Sequence, residues 1–543
     1  MAKSKSEGLP FEIKTFVELL NFCEKSYGEK AAFSFSKRKD VKQTVTFSQF
    51  KKDVNAVQKA FLKTGLSSES IALISENSYE WIVTYFACVC MGSVAVALDK
   101  ELSSSELCTL MKRSGCKAVF YSKSYAQKTE NICSEYGEVI KIPSENLLSL
   151  AQDALSDESV FESAVNGNTL ASIVFTSGTT GESKGVMLTH ENLISDTLAA
   201  AAAVEWYKKC LLVLPAHHTF GLVASILTPL IKGCETYICS SIRKLMKDIA
   251  SFKPEVIIVV PVMAETIYKK IWISAEKEGK ADKLRRGIKI SNTLRKIGID
   301  KRRKIFKDVL ENFGGALEGI VCGGASIDEE CVKGFCDIGI EFLSGYGITE
   351  CSPIVCVNTV QDNEIGSVGP LLMCNEVRVV NRDENGIGDI EVKGANVMSG
   401  YLDDEEATKE TFDGDWFITG DRGRIDKKGH LFLTGRKKNL IILSNGKNVS
   451  PEELESKLIH YDVINEIIVY EKDGKITAEI YPGSSFEKAE SKMHIDEALG
   501  EFNKTVPAYK NIEKIVVRDE EFPKTTTMKI KRKYQKQGEK VNV

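Results

Sequence analysis

Strand-like apolar runs alternate with amphipathic helical stretches through most of the first 350 residues. No other feature restricts the fold as much. The runs are SIALIS at 70–75, KAVFYS at 117–122, CLLVLP at 210–215, VIIVVP at 256–261 and EGIVCGG at 318–324, with helical stretches such as 47–62 and 101–114 between them. Strands separated by helices point to mainly parallel sheets covered by helices, an α/β class. From about residue 366 to 435, short strands and frequent Gly and Asp turns indicate a small antiparallel sheet or barrel. Beyond Gly435, the helix PEELESKLIHY, the strands NEIIVYE and KITAEIYP and further helical signals predict a compact α+β unit. A chain of 543 residues exceeds one ordinary core, since a folding unit runs to about 150 residues. The expected division is 1–435 and 436–543.

The composition, 43% hydrophobic and 27% charged with no low-complexity stretch, is that of a globular protein. A net charge of −4 gives no support to general nucleic-acid binding, which needs a basic excess. Fifteen cysteines lack the spacings of a metal site or disulfide framework, so reduced, buried thiols and a cytoplasmic setting are expected. Residues 1–14 carry lysines without an apolar run behind them and do not read as a signal peptide. The uncharged segment 81–98 reads as a helix ending at Gly92 followed by a buried strand, in preference to a membrane span. Residues 281–307 hold eleven Lys or Arg against two Asp, with Ile, Leu and Phe interleaved. The favoured reading is a solvated helical hairpin, and the alternative a basic amphipathic surface that meets anionic lipid peripherally.

The most informative string is ASIVFTSGTTGESKGVMLTH at 171–190. Gly178 and Gly181 let the backbone approach an anion, Thr176, Ser177, Thr179 and Thr180 add hydroxyl donors, and Lys184 adds a positive charge. This is a polyphosphate cradle in composition, although a Ser/Thr/Gly loop by itself is more often a plain turn. It is not a Walker loop, because Ser183 stands where that motif has its second glycine.

The string resembles the signature of the adenylate-forming superfamily of acyl-CoA synthetases, adenylation domains and firefly-type luciferases. Further strings of that family's kind follow in order: LPAHHTFG at 214–221, GGAS at 323–326, GYGITE at 345–350 and GDWFITGD at 414–421. GRKKNLIILSNGKNVSPEELE at 435–455 and PKTTTMKIKR at 523–532 complete the series. The resemblance implies a large N-terminal domain of two helix-covered sheets with a small barrel-like subdomain, and a mobile C-terminal α+β domain. It also implies ATP, Mg²⁺ and CoA as reactants: a carboxylate becomes an acyl-adenylate with loss of pyrophosphate, then passes to a thiol.

By the same resemblance, Tyr346 lies against adenine, Gly324, Ala325 and Gly347 belong to the nucleotide-binding site, Thr349 faces the phosphates, and Glu350 binds Mg²⁺. Asp421 and Arg436 take the ribose, Lys438 marks the hinge, Gly446 approaches the pantetheine arm, and His218 gates the acyl carboxylate. Lys529 meets the reacting carboxylate and the α-phosphate, although Met528 replaces the glycine common before that lysine. Without the family, Thr349-Glu350 reads as a helix start, Asp421 and Gly446 as turn residues, His218 as structural and Lys529 as part of a solvated tail.

Amino-acid adenylation domains carry an Asp in the segment aligned with LPAHHTFG to pair with the ammonium group. Ala216, His217, His218 and Phe220 stand there instead, which argues against an α-amino acid. The basic insertion and the MKIKR ending resemble long-chain fatty acyl-CoA synthetases. The small side chains of TLAAAAAVEW at 197–206 either leave room for an acyl chain or pack tightly. A fatty acid and CoA are therefore expected. The alternatives are a carrier-protein thiol, an aromatic or other non-amino acid, and a non-catalytic AMP-binding module.

Overall fold

The computed structural model describes residues 8–38, 41–147, 149, 164–177, 183–204, 208–239, 241–443, 447–483, 488–525 and 530–532. Two compact units emerge, the first made of Met1–Gly324, Glu329–Val377 and Val392–Ile418, the second of Ala325–Asp328, Arg378–Glu391 and Thr419–Val543.

Two helix-covered sheets build the first unit. One has eight strands in the order Ile354–Val357, Glu341–Gly347, Gly319–Cys322, Val256–Val259, Lys209–Leu212, Glu235–Ile238, Ala31–Arg38 and Val41–Thr46. Its central pairs are parallel and its two end pairs antiparallel. The other has seven strands: Gly400–Tyr401, Ser183–Thr189, Leu170–Ser177, Val94–Ala97, Ser70–Ile74, Cys116–Tyr121 and Ile140–Pro143. Only its first two pairings are antiparallel. The expected apolar runs all supply strands of these sheets, because a strand covered on both faces needs apolar residues at every position.

Helix starts follow local chemistry. Thr15, Ser103 and Thr189 each accept the N–H of the third helical residue, whose Glu18, Glu106 or Asn192 side chain returns the bond. The helix Tyr79–Cys90 is buried on every side, with Trp81, Tyr85 and Phe86 in the core, and Gly92 turns the chain out of it at φ +81°. Among the described residues no helix is long and apolar enough to cross a membrane. All fifteen cysteines stand outside disulfides, and all but Cys336 and Cys374 are buried.

The basic stretch departs from a simple hairpin. Its helix Ala281–Lys296 stops before Gly298, at φ +78°, and only the short helices Arg302–Ile305 and Lys307–Glu311 come after it. Two of its cations are structural. Arg302 binds Asp300, Glu341 Oε1 at 2.9 Å and the Cys336 carbonyl, while Arg303 donates to the Leu317 and Gly315 carbonyls.

A five-stranded sheet runs Asn375–Val380, Gly388–Gly394, Trp416–Ile425, Phe412–Asp413, with Leu431–Arg436 also pairing to Trp416–Ile425. Later in the second unit, Glu466–Lys472 and Lys475–Tyr481 form a hairpin joined in parallel by Lys514–Val517. Asp473 and Gly474 at its tip both have positive φ, the requirement of the two-residue turn that matches strand twist. The helices Pro451–Leu458 and Lys488–Thr505 accompany this sheet, and Leu454, Leu458, Val469, Ile480, Leu499 and Phe502 belong to its core.

His190, fully buried at the first position of the helix His190–Ala203, accepts the Phe16 N–H on Nδ1 at 3.2 Å. Burial lowers its pKa to about 4. Below pH 6.5 the unfolded chain binds a proton that the native histidine refuses until about pH 4. Stability should therefore fall as pH drops through that window, this group contributing up to about 3 kcal/mol. Urea titrations followed by tryptophan fluorescence report the first unit, which holds all four tryptophans. His190→Gln should show a shallower decline between pH 7 and 4.5.

Candidate active site

The Ser/Thr/Gly string is a β-hairpin. Leu170–Ser177 and Ser183–Thr189 pair antiparallel with Thr176 opposite Lys184 and Ser177 opposite Ser183. Gly178, Thr179, Thr180 and Gly181 lie outside the described residues. Gly185 lets the strands close tightly, since a Cβ there would meet Phe175 Cε1 and Leu402 Cβ at 3.1 Å.

Lys184 Nζ lies 4.7 Å from the ring centroid of Tyr401, whose hydroxyl donates to Glu350 Oε1 at 3.0 Å. Cation, ring and carboxylate thus form one chain of contacts. Tyr401 reaches this place because Gly400 and Tyr401 pair with Met187 and Val186 on the edge of the same sheet. Burial first, and the Glu350 charge second, hold the Tyr401 phenol well above its ordinary range, so it stays a donor.

Glu350 belongs to the turn Thr349–Cys351, which follows the strand Glu341–Gly347 and ends at Ser352 with φ +69°. Tyr346 is buried on that strand. A Cβ on Gly347 would fall 2.0 Å from the Pro353 carbonyl oxygen, so the return of the chain after the turn requires glycine. Gly323 receives the Phe220 ring closely, while Gly324, at φ +93°, and Ala325 are exposed.

Behind the turn lies an apparatus that the sequence did not flag. The fully buried Asp196 accepts from Asn396 Nδ2 at 3.1 Å and from the Ile354 N–H at 3.3 Å, and Asn396 also donates to the Cys351 carbonyl. One turn earlier on the same helix, Asn192 donates to the Ala395 and Val397 carbonyls, both at 2.8 Å. Met398 N–H in turn donates to the Glu350 carbonyl. Burial pushes the Asp196 carboxyl well above its ordinary range, against the hydrogen bonds from Asn396 and the Ile354 N–H.

His217 is buried and His218 half-buried, with ring centroids 4.4 Å apart. Burial lowers the pKa of both, and His217 is further opposed by His218. Both are neutral near pH 7, so His218 offers an imidazole rather than an imidazolium. Gly221 admits the Pro215 carbonyl, which would sit 2.2 Å from a Cβ, and so folds LPAHHTFG into a tight turn.

In the second unit, Asp421 and Arg436 are cross-strand partners, with Arg436 Nε 2.8 Å from Asp421 Oδ1. Asp421 is buried and its N–H donates to Thr419 Oγ1. Burial, then the Arg436 charge, lowers the Lys438 pKa. Gly446 and Lys529 lie outside the described residues.

The AMP-binding enzyme family matches residues 22–402. The chain belongs to that family. It is 27% identical over 454 residues to the long-chain-fatty-acid–CoA ligase FadD15 of Mycobacterium bovis, covering 78% of this chain and 75% of the relative. It is 27% identical over 553 residues to the long-chain-fatty-acid–[acyl-carrier-protein] ligase AEE15 of Arabidopsis thaliana, covering 85% and 75%. ATP-bound MatB from Rhodopseudomonas palustris has the same fold, with a TM-score of 0.75 at 24% identity over 94% of this chain and 96% of the other.

Tyr401, Asp196 and Asn396 were missed in this AMP-binding enzyme because nothing in the sequence marks their distant partners.

The two glycines of the Glu341–Gly347 strand should respond differently to alanine. Gly347→Ala meets backbone at 2.0 Å and should weaken AMP binding at least about tenfold, with a lower melting temperature. At Gly345 the nearest atom would be the Cys356 carbonyl oxygen at 3.2 Å, so Gly345→Ala should be the milder change. Isothermal titration with AMP and a thermal melt of each variant make the comparison.

Proposed function

We propose that this AMP-binding enzyme is a fatty acid–CoA ligase that activates its acid as an acyl-adenylate. The contact chain Lys184–Tyr401–Glu350 beside the hydroxyl-rich hairpin carries the reading, because it holds a cation and a hard carboxylate where polyphosphate chemistry needs both. The fatty acid and the thiol are supported by the named activities of the relatives and by the absence of a carboxylate from LPAHHTFG.

A carboxylate cannot be attacked by a thiol until one oxygen becomes a good leaving group. Here a carboxylate oxygen attacks the α-phosphorus of ATP, the bond to pyrophosphate breaks, and thiolate sulfur then displaces AMP from the acyl carbon. The first step drives an anion onto a polyanion, so positioned donors and cations govern it. Thr176 to Gly181 and Lys184 hold phosphate oxygens, with Thr349 beside them. Tyr346 lies against adenine, Gly324, Ala325 and Gly347 belong to the nucleotide-binding site, and Asp421, steadied by Arg436, accepts from the ribose hydroxyls.

Glu350 supplies an oxygen ligand for Mg²⁺, an ion that prefers one or two carboxylates plus substrate phosphates to a protein cage. Among the described residues no cluster of three His, Cys, Asp or Glu offers such a cage, so the single carboxylate fits. When bound, the ion neutralises charge on the phosphates. His218 gates the acyl carboxylate, and Lys529 stabilises the charge of the pentavalent transition state. Lys438 is the hinge between functional domains 1–435 and 436–543, and Gly446 approaches pantetheine.

Pyrophosphate release with ATP, Mg²⁺ and a panel of acids, each with and without CoA, tests this. Fatty acids should release pyrophosphate, CoA should allow repeated turnover, and Lys529→Ala should slow adenylation by about 100- to 1000-fold. Release that CoA leaves unchanged would favour a carrier-protein thiol, the acceptor named for the Arabidopsis relative. ATP binding without release from any acid would overturn the reading.

A lipid surface supplying the acid is supported by the helix Ala281–Lys296 and by Ile297 just beyond its end. Ile290 and Ile297 are 57% and 70% exposed, and Lys283, Arg286 and Lys289 share the exposed side. Co-sedimentation should show binding to vesicles containing phosphatidylserine and not to phosphatidylcholine alone. Replacing Lys283, Arg286 and Lys289 by Glu should abolish it, each cation being worth about 1 kcal/mol. Equal binding to both vesicles would reject an electrostatic contact.

A further inference from the structure

Tyr401 is carried by a short segment that is fastened, at the backbone, beside both of the charged groups it meets. Tyr401 pairs with Val186, which makes Lys184 its diagonal neighbour on the same face of the sheet. The Leu402 N–H donates to the Gly185 carbonyl at 2.7 Å, next to Lys184, and the Met398 N–H donates to the carbonyl of Glu350 itself at 2.8 Å. Five residues, 398–402, therefore span from the main chain of the carboxylate to the main chain beside the cation.

A further contact fixes the tyrosine along that segment. Its own N–H donates to Thr408 Oγ1 at 2.9 Å, and Thr408 lies on the helix Glu405–Glu410, which Asp404 caps. A Cβ on Gly400 would stand 3.0 Å from Thr408 Cγ2, so this helix packs closely on the residue before Tyr401.

The two parts of the side chain then meet opposite charges. The ring face takes the Lys184 ammonium, an attraction that needs no carboxylate. The hydroxyl makes a charge-assisted bond to Glu350 Oε1, which restrains rotation of the carboxylate about its last bond. A buried phenol needs only one acceptor, and any nearby carbonyl would serve a tyrosine that merely filled a core. Here the acceptor is a carboxylate 51 positions away in the chain.

We propose that Tyr401 is a positioning residue whose hydroxyl sets the orientation in which Glu350 meets Mg²⁺ and whose ring holds Lys184 for phosphate, apart from that carboxylate. This rests on the roles proposed for Lys184 and Glu350. Tyr401 acts through those two groups, and because ring and hydroxyl act on different partners, each contribution can be removed by itself.

The test uses the full chain and isothermal titration with ATP, once with Mg²⁺ and once with EDTA, with no acid present so that no turnover intervenes. Tyr401→Phe removes only the hydroxyl. It should weaken binding with Mg²⁺ by about tenfold, the scale of loss when a group behind a metal ligand is removed, and binding with EDTA by less than about twofold. Tyr401→Leu removes the ring as well and should also weaken binding with EDTA, by about fivefold. In a Glu350→Gln background Tyr401→Phe should add less than about twofold, because both changes act through one carboxylate. Wild-type binding with Mg²⁺ in Tyr401→Phe, or a full additional loss in the double variant, overturns the proposal. So does an equal weakening with Mg²⁺ and with EDTA at a lowered melting temperature, which is the signature of a structural role. If Glu350→Gln leaves the Mg²⁺ dependence intact, the role given to Glu350 fails and the positioning role falls with it. If Glu350→Gln removes that dependence while Tyr401→Phe does not alter it, the positioning role alone fails.

Discussion

Tyr401 satisfies two opposite charges at once, and the architecture of the first unit converges on making that possible. Its ring faces the Lys184 ammonium and its hydroxyl donates to Glu350. A buried phenol that stays protonated can do both, whereas direct contact would let the cation and the carboxylate neutralise each other. The two-residue strand Gly400–Tyr401 sets this geometry, so sheet register, rather than side-chain flexibility, decides where the charges stand.

Support for that arrangement comes from behind. Asn192 and Asp196 project from one face of the helix His190–Ala203, one turn apart, and grip 395–397 and the turn 351–354 through backbone and amide contacts. These groups are buried, where a hydrogen bond is electrostatically stronger than in water and its loss costs more. The glycines act in the opposite sense: Gly347 and Gly221 allow backbone approaches that any side chain would forbid. The second unit uses charge more directly, pairing Asp421 with Arg436 across a hairpin and Arg532 with Glu455.

Much of the fold was legible because its signals are local. The continuous apolar runs gave the strands, and Gly92 ended the helix Tyr79–Cys90. In the structure Asp473-Gly474 turns a hairpin for an equally local reason, by admitting positive φ, although it was not singled out from the sequence. The basic stretch was read less well, since Gly298 and the Asp300–Arg302 pairing cut it short after one helix. Motif strings singled out Lys184, Glu350, Asp421 and Arg436, but gave no sign that Asp421 and Arg436 would be cross-strand partners.

The order of the chemistry-bearing strings, the α/β alternation and the need for glycine at its turns were determined by sequence alone, since each depends on residue type and near neighbours. The tertiary structure decided which groups meet. Tyr401 lies 217 positions beyond Lys184 and 51 beyond Glu350, and Asn396 lies 200 beyond Asp196. Contacts at such separations are set by strand register and packing, which no local preference encodes, because a shift of one residue along a strand would turn Tyr401 to the opposite face of its sheet.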